Sequence, residues 1–93
     1  MRRQRHPMLK VLRTTDSNIV LTLIGRLEPE SMADVRRLLA AEPPGPIVVL
    51  DLTDLVLVDR DAVRFLRTCE RDGIVLRNCP EYIRTWMDRE KER

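Results

Sequence analysis

The sequence predicts a small α/β domain: one mixed sheet of about four strands packed with three amphipathic helices, in the order β-β-α-β-α-β-α. Short runs rich in β-branched and aliphatic residues, at 9–14, 19–24, 47–52 and 74–76, alternate with stretches whose apolar residues recur at helical spacing. Residues able to cap a helix open those stretches, and proline or glycine closes the first two. The 93 residues, 43% of them hydrophobic and 34% charged, suit one core inside a solvated shell and leave no room for a second core. Residues 1–7 lack apolar periodicity and read as a mobile basic tail, which leaves 8–93 as the domain.

Each element has its own local reason. Residues 9–14 alternate, Asp16, Ser17 and Asn18 supply a turn, and residues 19–24 complete a hairpin. Residues 25–30 break the second strand, and the Ser31 hydroxyl is placed to cap the first helix, with Asp34 three positions on as in a shortened capping box. Met32, Val35, Leu38 and Leu39 share one side of that helix, opposed by Asp34, Arg36 and Arg37, until Pro43, Pro44 and Pro46 forbid its continuation. Residues 47–52 are apolar on both alternating faces, the pattern of a central strand covered on each side. After Thr53 and Asp54, residues 55–58 run extended into Asp59, whose carboxylate suits the free amides at the start of the second helix.

In that helix Ala62, Phe65, Leu66 and Cys69 repeat at i, i+3, i+4 and i+7, Arg64, Arg67, Glu70 and Arg71 face outward, and Gly73 supplies the C′ residue. Residues 74–76 form a last short strand, and Asn78 and Cys79 turn the chain. Pro80 sits in the first turn of the third helix, where Ile83, Trp86 and Met87 make the buried stripe. Tyr82 and Trp86 share a side of it, as aromatic partner anchors do, but in a chain with three aromatics the core is the more natural place for Trp86. The alternating charges of residues 88–93 extend a solvated helix end.

Composition excludes several function classes. The longest apolar runs fall far short of the ~20 residues that span a bilayer, and no apolar signal core follows the basic N-terminus, so the chain is expected in the cytoplasm. Cys69 and Cys79 lack neighbouring histidines and read as reduced packing residues. Without Arg2, Arg3 and Arg5 the 17 basic residues fall to 14, against 15 acidic ones, so the domain offers no broad positive face to nucleic acid. The sole histidine, His6, lies in the tail, no serine or cysteine has an identifiable base, and no Gly-rich phosphate loop is present, which argues against an enzyme and against a cofactor. Asp51, Asp54, Asp59 and Asp61 are dense enough to suggest a divalent cation, but turn formation and capping are their more ordinary roles.

The stretch from Val48 to Leu66, an apolar strand running through an acidic turn into an amphipathic helix, resembles the STAS domain of bacterial anti-sigma factor antagonists and of sulfate-transporter tails. Leu23, Ile24, Gly25, Arg26 and Leu27 look like that family's Leu-Thr-Gly-Arg/Glu-Leu segment, residues 47–52 are similar to its central strand, and Leu57, Val58 and Asp59 to its approach to the helix. Gly73 to Leu76, followed by Asn78 and Pro80, resembles its final strand and helix start, so the likeness covers residues 9–86. The family's fingerprint is Asp-Ser-Ser/Thr-Gly, and here those positions read Asp59, Arg60, Asp61, Ala62.

Those departures shape the functional expectation. Where regulatory STAS domains carry a serine that a partner kinase phosphorylates, Arg60 has no hydroxyl to accept phosphate, and its charge is opposite to that of phosphoserine. Asp61 keeps a permanent negative charge at the helix N-terminus, where the macrodipole favours it. Arg60 beside free helix amides can also be read as an anion site, opposed by the carboxylates of Asp59 and Asp61. The expectation is a non-catalytic protein-interaction module, with Arg60, Asp61 and Arg64 as exposed contacts and Asp59 holding the turn. By resemblance, the Glu28, Pro29, Glu30 loop and Thr53 and Asp54 border the same surface. The family implies a protein partner, an anti-sigma factor or serine kinase. The alternative is a cytosolic accessory subunit of a lipid ABC or anion transporter, and self-association into a homodimer is a further possibility.

Overall fold

A computed structural model of the chain describes residues 9–57 and 59–91. Strand β1 (Leu9–Thr15) and β2 (Ile19–Leu27) form an antiparallel hairpin, with Leu9 opposite Gly25 and Thr15 opposite Ile19. A parallel neighbour requires a crossover, which α1 (Pro29–Ala40) supplies before β3 (Val48–Leu57) lies alongside β2. Helix α2 (Arg60–Arg71) makes the second crossover to β4 (Val75–Arg77), and α3 (Glu81–Lys91) follows. The sheet order is β1-β2-β3-β4, so the architecture is the predicted one, a four-stranded mixed sheet with three helices. The expected basic tail of residues 1–7 lies outside the described residues.

One cluster forms the core. Ile19, Leu21 and Leu23 of β2 and Leu50, Leu52, Leu55 and Leu57 of β3 meet Met32 and Val35 of α1, the stripe Ala62, Val63, Phe65, Leu66 and Cys69 of α2, and Ile83 and Met87 of α3. Since strand side chains alternate between faces, all three helices pack on one side of the sheet. Among the described residues, the central strand is therefore covered by helices on one side, not on both as its apolar run suggested. Its other face, where Val49 is still buried, also presents Asp51, Asp54 and Val56, next to Thr22 and Ile24 of β2.

The structure departs locally from the sequence reading at four places. Residues 47–52 and 55–57 are not two runs but one strand, β3, because the register against β2 slips between Thr22 and Ile24. The bulge puts one extra residue into β3, so Leu52 and Leu55, three apart, both face the core. Helix α1 starts at Pro29, whose fixed φ suits the first helical position, with Glu28 as N-cap. Ser31 is buried instead of capping, its Oγ 3.5 Å from the Arg26 carbonyl. Leu38 is exposed, while Leu39 packs against the core. Pro80 precedes α3 and accepts from the amides of Ile83 and Arg84 at 3.0 and 3.1 Å, so it acts as the cap.

Candidate functional site

The C-terminal end of β3 feeds α2 through Asp59, which is extended (φ −160°, ψ 178°) and accepts from the Ala62 amide at 3.0 Å. That is the expected N-cap, and it satisfies one of the unpaired donors of the first turn. Arg60, the first residue of α2, turns its guanidinium to Glu90 near the end of α3, Nε to Oε2 3.1 Å. Arg64, one turn on, reaches the other oxygen of the same carboxylate at 3.4 Å. The Glu90 side chain is 8% exposed, the two arginines 56% and 58%. Both guanidiniums thus rest on a shielded acceptor while remaining exposed, as expected of them. At the opposite end of the same helix pair, Arg84 meets Glu70 at 3.2 Å through both terminal nitrogens, so charge ties α3 to α2 twice.

Asp61 is exposed, and among the described residues it makes no ion pair. With Arg64, Phe65 and Thr68 of α2 and Pro29, Met32 and Arg36 of α1 it lines a groove of about 340 Å³ between the two helices. The Arg36 guanidinium lies 5.0 Å from the centre of the Phe65 ring, a cation–π contact that roofs the apolar floor. The groove combines an apolar base (Met32, Phe65) with an acid and two arginines on its rim.

The other expected residues divide. Glu28 caps α1 immediately before Pro29 and stands 3.7 Å from Arg26, so it borders the groove, although Pro29 and Glu30 belong to the helix and not to a loop. Thr53 and Asp54 are not among the groove's lining residues. They lie inside β3 at the bulge, and Asp54 faces away from the helices, paired with Ile24. Asp51 there accepts from the Thr53 amide at 3.1 Å, the Thr53 hydroxyl at 2.7 Å and the Asn78 amide at 3.3 Å, with Arg77 3.7 Å away. Partial burial alone would raise the Asp51 carboxyl, but these donors and the Arg77 charge outweigh it and hold the group below the ordinary carboxylate range. Asp51, Asp54, Asp59 and Asp61 do not converge, and among the described residues no three His, Cys, Asp or Glu side chains are grouped to hold a metal ion.

One residue at the site, Glu90, escapes the sequence reading, and a second, Tyr82, is read there as a surface aromatic without its bonds to β3. Glu90 falls within the charge run taken as solvated, yet it continues the buried phase of α3 at i, i+4 and i+7 from Ile83 and Met87, a signal available in the spacing. Tyr82 is half exposed, and its hydroxyl accepts from the Leu57 amide at 3.2 Å and lies 3.5 Å from the Leu55 carbonyl. Trp86 packs, partly buried, against the core. Arg60 Nε is engaged by Glu90 and the Ala62 amide by Asp59, so two of the donors that an anion at the α2 start could use are already paired. No helix among the described residues is long and apolar enough to cross a membrane. No protein-family model matches the chain, and no curated protein matches it.

Proposed function

We propose that the chain is a non-catalytic protein-interaction module of the STAS kind, a cytoplasmic relative of the anti-sigma factor antagonists that works without their phosphorylation switch. The element order and the carboxylate-capped α2 after the central strand support this reading. The observation that carries it is the groove between α1 and α2, which sets the exposed Asp61 and Arg64 beside Met32 and Phe65, and the resemblance would have a partner dock there. In this reading Arg60, with no hydroxyl to phosphorylate and its guanidinium on Glu90, leaves the surface without the family's switch. That constancy favours one second reading: a permanently assembled accessory subunit of a membrane transporter.

A photo-crosslinking side chain at Asp61 tests the proposal in cells. Capture of one protein at Asp61, lost in Asp61→Arg controls with the probe at Arg64, supports the docking surface. A captured histidine-kinase-like ATPase favours the regulator, and a permease or transport ATPase favours the subunit. Capture from a probe at Lys10 on the hairpin, with none at Asp61, overturns the site. Incubation with the cognate serine kinase should leave residues 59–62 unmodified by mass spectrometry, and phosphate on Thr53 would restore a switch.

A further inference from the structure

Helix α3 has two long faces with different fates. One buries Ile83 and Met87 and pairs Arg84 and Glu90 with α2. The other, Glu81, Tyr82, Thr85, Trp86 and Arg89, lines a shallow depression of about 770 Å³. These positions recur at i, i+1, i+4, i+5 and i+8, so they form one continuous stripe along the helix. Tyr82 is 50% exposed and Trp86 partly so, which sets two aromatic rings side by side on the stripe. Glu81 and Arg89 make no ion pair among the described residues, although the charges on the other face of the same helix do.

The order of residues along the stripe decides its occupant. Glu81 precedes Thr85 by one turn and Arg89 follows it by one turn, so acid and base stand about 6 Å of helix rise on either side of a small central residue. A sequence that reads acid, aromatic, small, aromatic, base is the complement of itself read backwards. A two-fold axis through Thr85 sets Glu81 of each copy against Arg89 of the other, forms both ion pairs at once, and stacks Tyr82 toward the second copy's Trp86. We propose that this face joins two copies of the chain, α3 packed antiparallel on α3. The proposal uses no residue of the α1–α2 groove and stands apart from the function proposed for it. The contact is one short helix wide, well under the roughly 800 Å² per partner of a standard interface, so the dimer is weak, with a dissociation constant on the order of 100 μM.

Sedimentation velocity on the full chain, from about 10 μM to about 1 mM to bracket that constant, is the test. Wild type should pass from monomer to dimer across the series. Glu81→Arg and Arg89→Glu alone each bring like charges together twice and should leave monomer throughout, as should Thr85→Arg on the axis. The exchanged double variant Glu81→Arg with Arg89→Glu restores both pairs and should regain the dimer to within about threefold, since the ion pairs are reversed but equal in number. Circular dichroism melts certify that each variant is folded, and Thr85→Arg, at an exposed position, keeps the test decisive if a charge reversal unfolds. A wild type that stays monomeric at the highest concentration overturns the proposal. So does a dimer indifferent to Thr85→Arg and the single reversals, or a folded exchanged variant that fails to re-associate.

Discussion

Arg60 opens α2, and its contact with Glu90 gives it a measurable structural role. The Nε–Oε2 distance is 3.1 Å, the arginine is 56% exposed, and the carboxylate side chain is 8% exposed. Fully exposed pairs contribute about 0.2 to 1 kcal/mol, and the shielded acceptor places this one at the upper end, about 1 kcal/mol after allowance for the solvated guanidinium. Glu90→Gln also deprives Arg64 of its partner at 3.4 Å and should cost about 1 to 2 kcal/mol. In a domain of this size each kcal/mol lowers Tm by about 4 to 8 °C. A double-mutant cycle of Arg60→Ala and Glu90→Gln, followed by urea denaturation, should return a coupling of about 1 kcal/mol that shrinks as salt is raised from about 0.05 to 0.5 M. Arg60→Ser should cost the same tie as Arg60→Ala. A coupling below about 0.3 kcal/mol would refute the reasoning, because additive substitutions mean the guanidinium and carboxylate do not act as a pair.

Asp59→Ala should destabilise by about 1 kcal/mol through the lost cap on Ala62, while Asp59→Asn, which keeps an acceptor, should cost only a few tenths; equal losses in thermal melts would remove the capping role. Asp51 is held below its usual range in the folded state, so its stabilisation is complete above the unfolded value near 3.9 and is lost as pH falls through the lower folded value. The stability gap between wild type and Asp51→Ala should accordingly narrow below about pH 4, and a gap unchanged down to about pH 3 would contradict the network. Burial, and then the nearby Asp72 charge, push the Cys69 thiol up to about 11, whereas Cys79 is only partly buried. At neutral pH a thiol reagent should label Cys79 first and Cys69 only on unfolding; equal rates would place Cys69 outside the core.

The parts of the fold that were legible in the sequence are those governed by local chemistry. Asp59 and the Ala62, Phe65, Leu66, Cys69 stripe announce α2 because capping and helical spacing act within a few residues. β3 was split at Thr53 and Asp54 because a bulge shifts the two-residue phase, and only the register with β2 reveals that Leu52 and Leu55 share a face. At α1 two local signals competed, Pro29 at the first position and Ser31 as cap, and the packing of Ser31 and Met32 under the helix settled the contest. The entrance to α2 was readable as a place but not as a set of contacts. Arg60 and Arg64 find their partner 26 or more residues away, and no short-range pattern encodes the angle at which α3 crosses α2.

The shortness of β4 has a consequence for the chain's behaviour in a crowded solution. β4 pairs with Val49, Leu50 and Asp51, so among the described residues the outer rim of β3, the strand richest in leucine and valine, runs on without a strand beside it. Unpaired rims of this kind recruit strands from other molecules. The phenol of Tyr82 sits on the bare stretch, accepting from Leu57 and facing the Leu55 carbonyl, and so a single side chain plugs the place where fibrous stacking would begin. Removing one oxygen atom, as in Tyr82→Phe, would leave the molecule folded yet prone to gelling on storage.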